Sequence, residues 1–466
     1  MSSVLRLCIV HHHQPLRIMG TRMLTSERVG FAPIRSHELK DPVPPALLSF
    51  KDPRAFQSKS WWELIRALGV FRLCSYPVLV NNCGKLMSFT RAVLGKRVFA
   101  MVLRPFVYAQ FVAGETESEI AVSMEKMNSQ GLHPMLAVPI EEDLGESSGE
   151  KKYDDNLAAM LECVHMSHSN AWSKDPMMQL KITALVKLTS LLKKQHYDLD
   201  LLVRALDREA VTFPGLSETE NTHFLLGLNR LNQIGEASVN KVRVLVDAEY
   251  TYMNPALSLV TMAMMKKFNR DSAWIWNTYQ CYLKESRDLV FDAIHLSVDQ
   301  SFCLGVKLVR GAYMDKEKKL AHKEGREDPI HQSWEHTNNS YNGCLEVILN
   351  LISQQPDRYK IIVATHNEES VRKAVTWMTE LGIARDGGSV CFGQLLGMCD
   401  HVSLTLAQQG FSVYKSVPYG SVDDTLPYLV RRAQENRTVL QGIRKERDLL
   451  KQELRRRARE KITQAK

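Results

Sequence analysis

The sequence predicts an α/β fold: a (β/α)8 barrel of the TIM type, with helices before it and a helical extension after it. Two observations predict the barrel. Between residues 134 and 420, eight short apolar, β-rich runs alternate with helical segments. Near-continuous apolar strands separated by helices imply a parallel sheet covered on both faces, and eight such units close a sheet on itself. A third observation gives the barrel a working end. Nearly every run gives way, at its carboxyl end, to residues that bind ligands or move protons, and chemistry sits at that end in this architecture.

The elements follow in order. Residues 1–26 contain Arg6, Arg17 and Arg22 and no acid before Glu27, the pattern of a mitochondrial presequence. The His11-His12-His13 triplet within it is given no metal-binding role. Pro42, Pro44 and Pro45 break regular structure, so residues 1–55 are read as leader and linker. Residues 56–134 read as a helical region. Its first helix, SWWELIRALGVFRLCSYPVLV, is unusually apolar, and either packs on the barrel or lies on a membrane surface. Residues 135–436 are the barrel. Its strands are PMLAVPI, QLKITAL, VRVLVDAEY, AWIWNTYQ, CLGVKLVRGAY, KIIVATHN, SVCFGQLLGM and SVYKSVPYG. The segment 187–240 is longer than one crossover needs and adds helices. Residues 437–466 form a basic C-terminal helix.

Charge and cysteine usage exclude several classes. The formal charge is +8, but the residues after Asn436 hold eleven basic and four acidic side chains, 11 − 4 = +7. The basic character therefore belongs to one terminal helix, the body is near neutral, and no nucleic-acid-binding domain is indicated. Nine cysteines with no CxxC and no regular spacing fit a reducing interior. They argue against a zinc site and against a disulfide scaffold. No run of about 18 apolar residues marks a membrane-spanning helix.

The candidate site is built from the strand ends: Lys181, Asp247 with Glu249, Asn277, Lys307 followed by Arg310 and Tyr313, Thr365-His366-Asn367, Gln394, and Ser416 with Tyr419. Beyond the last strand, YLVRRAQEN places Arg431 beside Arg432. Two adjacent guanidiniums repel each other unless an anion sits with them, and a small carboxylate fits both planar forks. Glu435, one turn on, can hold their orientation.

The motifs VDAEY (246–250), NTYQCYLK (277–284), KLVRGAY (307–313), ATHNEES (364–370), FGQLLGM (392–398) and YLVRRAQEN (428–436) occur in this order. Together they resemble the proline dehydrogenase family, flavin enzymes built on a distorted (β/α)8 barrel. The resemblance covers roughly residues 100–436. It implies FAD as cofactor without a Gly-x-Gly-x-x-Gly turn, a small imino-acid substrate, ubiquinone as electron acceptor, and a peripheral place on the matrix side of the inner mitochondrial membrane. It implies that Asp247 is the active-site aspartate, balancing Lys181 and bonding Tyr313, and that Lys307 is the flavin-contacting cation. Asn277, Arg310, Gly311, Ala312, Thr365 and His366 are then expected at the cofactor. Lys181, Arg431, Arg432 and Glu435 are expected at the substrate carboxylate, and Leu308 under its ring.

Ser416 refines this. Members acting on proline look like YKYVPYG where this chain has YKSVPYG. A serine removes the ring and offers a hydroxyl, which suits trans-4-hydroxy-L-proline, oxidised to 1-pyrroline-3-hydroxy-5-carboxylate. Proline itself as main substrate is the alternative. Outside the family, a Schiff-base aldolase using Lys181 is a competing reading. An interaction or RNA-binding protein acting through the basic terminal helix is another, disfavoured by the absence of RNA-binding aromatic motifs.

Overall fold

The computed structural model describes residues 48–140, 149–170, 172–188, 198–438 and 440–464, with side chains at 435–438, 440–443 and 464 left aside. The expected leader therefore lies mostly outside the described residues. Eight parallel strands form a closed barrel: β1 (His133–Ala137), β2 (Met177–Leu180), β3 (Arg243–Val246), β4 (Ile275–Gln280), β5 (Leu304–Val309), β6 (Tyr359–Ala364), β7 (Val390–Leu395) and β8 (Val413–Pro418). Closure is made by β1 against β8, with His133 opposite Tyr414 and Ala137 opposite Pro418.

Before the barrel come α1 (Trp61–Cys74), α2 (Pro77–Asn81), α3 (Cys83–Leu103), α4 (Ala109–Phe111) and α5 (Glu117–Ser129). Ser60 and Glu63 form a reciprocal capping box that starts α1. Pro77 splits the expected first helix into α1 and α2, and Pro105 follows the end of α3: each lacks an amide and restricts the residue before it. Around the barrel run α6 (Glu150–Ser169), α7 (Leu199–Leu206), α8 (Glu218–Ser238), α9 (Asn254–Phe268), α10 (Ser286–Asp299), α11 (Met314–Glu324), α12 (Trp334–Gln354), α13 (Glu368–Glu380) and α14 (Asp400–Gln408). Then follow α15 (Val422–Thr438) and α16 (Leu440–Gln464). The second strand stops at Leu180, short of the expected QLKITAL run. The chain turns through a 3-10 segment at Ile182–Ala184, and Thr183 bonds Glu249 of the next strand's loop.

Alternation sets the inside of the barrel, because successive strand side chains point to opposite faces. Met135, Met177, Leu245, Trp276, Ile362, Cys391 and Tyr414 pack together as one cluster from seven strands, filling the amino half. Gly305 is required there, since a Cβ on it would stand 2.4 Å from the Trp276 ring. Two residues further along several strands the interior turns polar: Gln179, Asp247, Thr278, Lys307 and Ser416. The main core lies outside this cluster, between the strands and the helical shell.

The two ends of the chain are less separate from the barrel than their composition suggests. Phe50 and Phe56 are fully buried, and Pro53–Phe56 forms a 3-10 turn, so the expected linker boundary at residue 55 falls inside a packed element. The terminal helix α16 is not a free basic arm. Leu449 and Leu450 join the main core, and Glu453 is buried and holds both Arg456 and Arg457. Arg457 also donates to the carbonyls of Phe56 and Lys59. Glu446, likewise buried, accepts the amides of Cys399 and Asp400 at 3.0 and 2.7 Å and so caps the start of α14.

The same helix start carries His401, which bonds Glu368 at 3.0 Å and faces Glu446 at 3.8 Å, while Lys445 also pairs with Glu368. Burial opposes charge on this imidazole, but the two carboxylates outweigh it and lift its pKa from 6.5 to about 9. A raised folded-state pKa means the stabilisation is complete below pH 6.5 and is lost as pH rises through about 9. In urea unfolding, His401→Gln is therefore expected to lose most against the parent near pH 6. The gap should narrow by about 3 kcal/mol toward pH 10; a pH-independent gap would mean His401 is neutral in the fold.

Candidate active site

The polar residues of the carboxyl half meet across the barrel. Lys307, on β5, has a side chain only 11% exposed, and its Nζ donates to Asp247 Oδ1 at 2.5 Å, reaching past β4 to the end of β3. Asp247 is more open, at 36%, so water shares in its charge. A buried ammonium needs such a partner, because desolvation without one costs several kcal/mol. On the other side of the barrel Gln179 Nε2 donates to Ser416 Oγ at 2.6 Å, reaching past β1 from β2 to β8. That bond occupies one lone pair of the serine and leaves its own O–H to donate elsewhere.

Further toward the mouth, Lys181 is half-buried and donates to the Ile140 carbonyl at 3.3 Å. The expected pairing of Asp247 with Lys181 and Tyr313 is not the one formed: Asp247 is held by Lys307. The Tyr313 ring instead packs on Tyr250, centroids 4.5 Å apart, and Tyr250 in turn stacks on Tyr252. His366 accepts the Leu395 amide through Nε2 at 3.2 Å. Burial, then the charges of Lys415 and Arg432, push its pKa down to about 3, so it is a neutral acceptor.

The helix α15 packs through Tyr428 and Leu429 beside Leu395 at the end of β7, which brings Arg432 near the mouth. Its side chain is buried and stacks on the Tyr428 ring at 4.8 Å, one turn back on α15. Arg431 is half-buried and lies 5.9 Å from the same ring. The two arginines are thus both near the open strand ends, and unequal in exposure. The side chain of Glu435 lies outside the described residues.

Two expected contacts are corrected by strand parity. Trp276 faces into the barrel, so Asn277 faces out, where its Nδ2 meets Ser258 of α9 at 3.4 Å. The inward residue at that strand end is Gln280, whose Oε1 accepts from Asn254 at 3.1 Å. Likewise Gly305 and Lys307 face in, so Leu308 faces out, fully buried in the main core between strand and helices. It cannot be a floor under a ligand in the mouth. Gly311 and Ala312 are exposed at the rim, with backbone open to a ligand. Arg310 turns outward and donates to Thr365, Asn338 and Ser370, over the Tyr341 ring.

Around the strand ends stand five cations, Lys181, Lys307, Arg310, Arg431 and Arg432, against the carboxylates of Asp247 and Glu249. Among the described residues neither Lys181 nor Arg310 has an ion-pair partner. Cations at the open end suit anionic guests: a carboxylate, or a cofactor with phosphates. A separate cavity of about 590 Å³ lies under α1 and α5, lined in part by Lys59, Arg66, Asp400 and Lys415. Its buried charges are already matched, Lys59 and Lys415 both pairing with the one carboxylate of Asp400.

With this geometry in view, comparison with known proteins decides the family. The family model described as proline dehydrogenase matches residues 121–445. The chain belongs to the proline dehydrogenase family. It is 55% identical to hydroxyproline dehydrogenase of Xenopus laevis, over 88% of this chain and 90% of that one. It is 45% identical to the human hydroxyproline dehydrogenase, over 88% and 93%. Against human proline dehydrogenase 1, mitochondrial, identity is 30% over 90% and 91%. Among solved structures, proline utilization A from Bdellovibrio bacteriovorus, inactivated by N-propargylglycine, has a TM-score of 0.56 at 20% identity, covering 83% of this chain and 36% of that one; this is a likeness of fold. The molecule is a dehydrogenase on a TIM-type barrel.

The parity correction is testable. Asn277→Leu should leave kcat/KM within a factor of about two, because the side chain meets only the shell. Gln280→Leu should lower it about tenfold, the value of one hydrogen bond at the mouth. The reverse order in steady-state kinetics would restore Asn277 to the site.

Proposed function

We propose that this dehydrogenase oxidises trans-4-hydroxy-L-proline to 1-pyrroline-3-hydroxy-5-carboxylate. FAD is its cofactor, and electrons pass to ubiquinone on the matrix side of the inner mitochondrial membrane. The relatives named hydroxyproline dehydrogenase support the substrate, and those named mitochondrial support the compartment. The observation that carries the reading is Ser416, inward-facing at the mouth with Gln179 fixing its oxygen.

The cofactor fits the donor set: Lys181, which pairs with no described carboxylate, an exposed Gly311-Ala312 backbone, and the amide of Gln280. When bound, FAD supplies the two-electron oxidant. The residues of the chain position the substrate and set its proton. Arg431 and Arg432 hold the carboxylate from α15, with Lys181 on the opposite side. Three cations near the ring nitrogen lower the pKa of that amine and favour its neutral form, whose lone pair forms the C=N bond as a hydride leaves C5. Lys307, charge-balanced by Asp247, keeps a cation where negative charge develops. Tyr313, braced on Tyr250, walls the pocket. Thr365 and His366 serve the cofactor's far side.

Ser416 then discriminates. Its O–H and the Gln179 amide meet a 4-hydroxyl, and proline leaves that capacity unmet, a penalty of roughly 1–3 kcal/mol. In stopped-flow bleaching of the flavin, hydroxyproline should reduce the parent faster than proline does, and Ser416→Tyr should reverse the order. Equal rates for the two substrates in the parent would remove the role given to Ser416.

A further inference from the structure

The least satisfied surface of the molecule lies away from the barrel mouth. The segment α3 spans 21 residues as two helical pieces that kink at Gly95, yet only Cys83 and Phe99 are buried in it. A helix in water is held mainly by packing one apolar face. Here Phe89, Val93, Met101 and Val102 are exposed, as are Val78 on α2 and Phe106 in the turn after α3. Of the twenty large hydrophobic residues exposed among the described residues, fifteen fall between Trp62 and Val122. Single exposed apolar residues need no explanation, whereas a concentration of this kind marks an interaction surface.

Charge says what covers it. Between Glu63 and Glu115 there is no acidic residue, and there are seven basic ones: Arg66, Arg72, Lys85, Arg91, Lys96, Arg97 and Arg104. The stretch therefore carries 7 − 0 = +7, as much as the terminal helix, hidden by acids elsewhere in the body. Some of these cations are used within the fold. Arg91 pairs with Asp423 at 2.7 Å, and Arg104 with Glu115 and Glu119. Lys85 and Arg97 are exposed and pair with no described residue.

An apolar surface carrying more cations than acids, with Lys85 and Arg97 left to face outward, matches an anionic bilayer. The apolar side chains enter the acyl boundary while lysine and arginine heads reach back to the phosphates. A second copy of the chain would set one net-positive face against another, which disfavours self-association. No helix among the described residues is long and apolar enough to cross a membrane, so the contact is a surface one. We propose that α2, α3 and the Arg104–Tyr108 turn form the face on which this protein lies against anionic lipid, and that the basic terminal helix, bonded inward through Arg456 and Arg457, is not that anchor. The inference deepens the membrane reading above and is independent of the substrate.

The test is flotation of the full chain with vesicles of phosphatidylcholine, alone or with roughly one part in five phosphatidylserine. The parent should float with the anionic vesicles. A Phe89→Ser, Val93→Ser, Met101→Ser variant should partition at least about tenfold less, while its turnover with a soluble dye acceptor matches the parent and shows that it folds. Lys85→Glu with Arg97→Glu should abolish the preference for anionic vesicles. Arg455→Glu with Arg459→Glu, on the terminal helix, should float as the parent does. A parent that fails to float overturns the inference. So does a terminal-helix variant that fails while the α3 variant floats, or an α3 variant whose only change is from dimer to monomer in light scattering. Flotation as expected with no oxidation of hydroxyproline would count against the substrate alone.

Discussion

Closure of the eight-stranded sheet is the constraint on which the site depends. Once β1 is paired with β8, every strand side chain is committed to the interior or to the helical shell. The amino half of the interior is filled by Trp276 and its apolar neighbours, which leaves the polar side chains no solvent except at the other end. There the cost of burying polar groups is met by pairing across an intervening strand, Lys307 with Asp247 and Gln179 with Ser416. The pairs fix the directions of the donors without consuming them all.

The same economy of charge organises the outer layers. A single buried carboxylate, Asp400, joins Lys59 ahead of α1 to Lys415 on β8. Another, Glu446, joins the terminal helix to the start of α14, directly after the strand that bonds His366. The chain ends therefore brace the turn beside the mouth rather than hang from it. What the fold leaves unbraced is the apolar, acid-free stretch before the barrel.

The eight strands were legible because each is a short apolar run bounded by helical sequence, and each run overlaps a strand, QLKITAL only at Gln179 and Leu180. The barrel's inside was harder to read. In β4 all six residues are buried, and in β5 five of six, so hydrophobicity carries no sign of which face is inward. Only the register with Trp276, or a glycine forced by it, resolves Asn277 from Gln280 and Leu308 from Lys307. Arg432 was legible as a ligand-binding candidate through its neighbour Arg431, whereas its stacking on Tyr428 depends on side-chain direction that the sequence does not carry. The terminal helix was legible as a helix but its packing was not, because its partners are distant in sequence: the carbonyls of Phe56 and Lys59, and the amides of Cys399 and Asp400. The net charge of the body misled, since a sum cannot show an acid-free stretch.

The central claim is that the two arginines of α15 and the inward polar residues converge on one small carboxylate at the barrel mouth. A crystal structure with a saturated five-membered-ring carboxylate that cannot be oxidised tests it most directly. The carboxylate should lie between Arg431 and Arg432, with the ring turned toward Ser416 and Lys307. Density in the cavity under α1, or guanidiniums that turn away from the ligand, would contradict it.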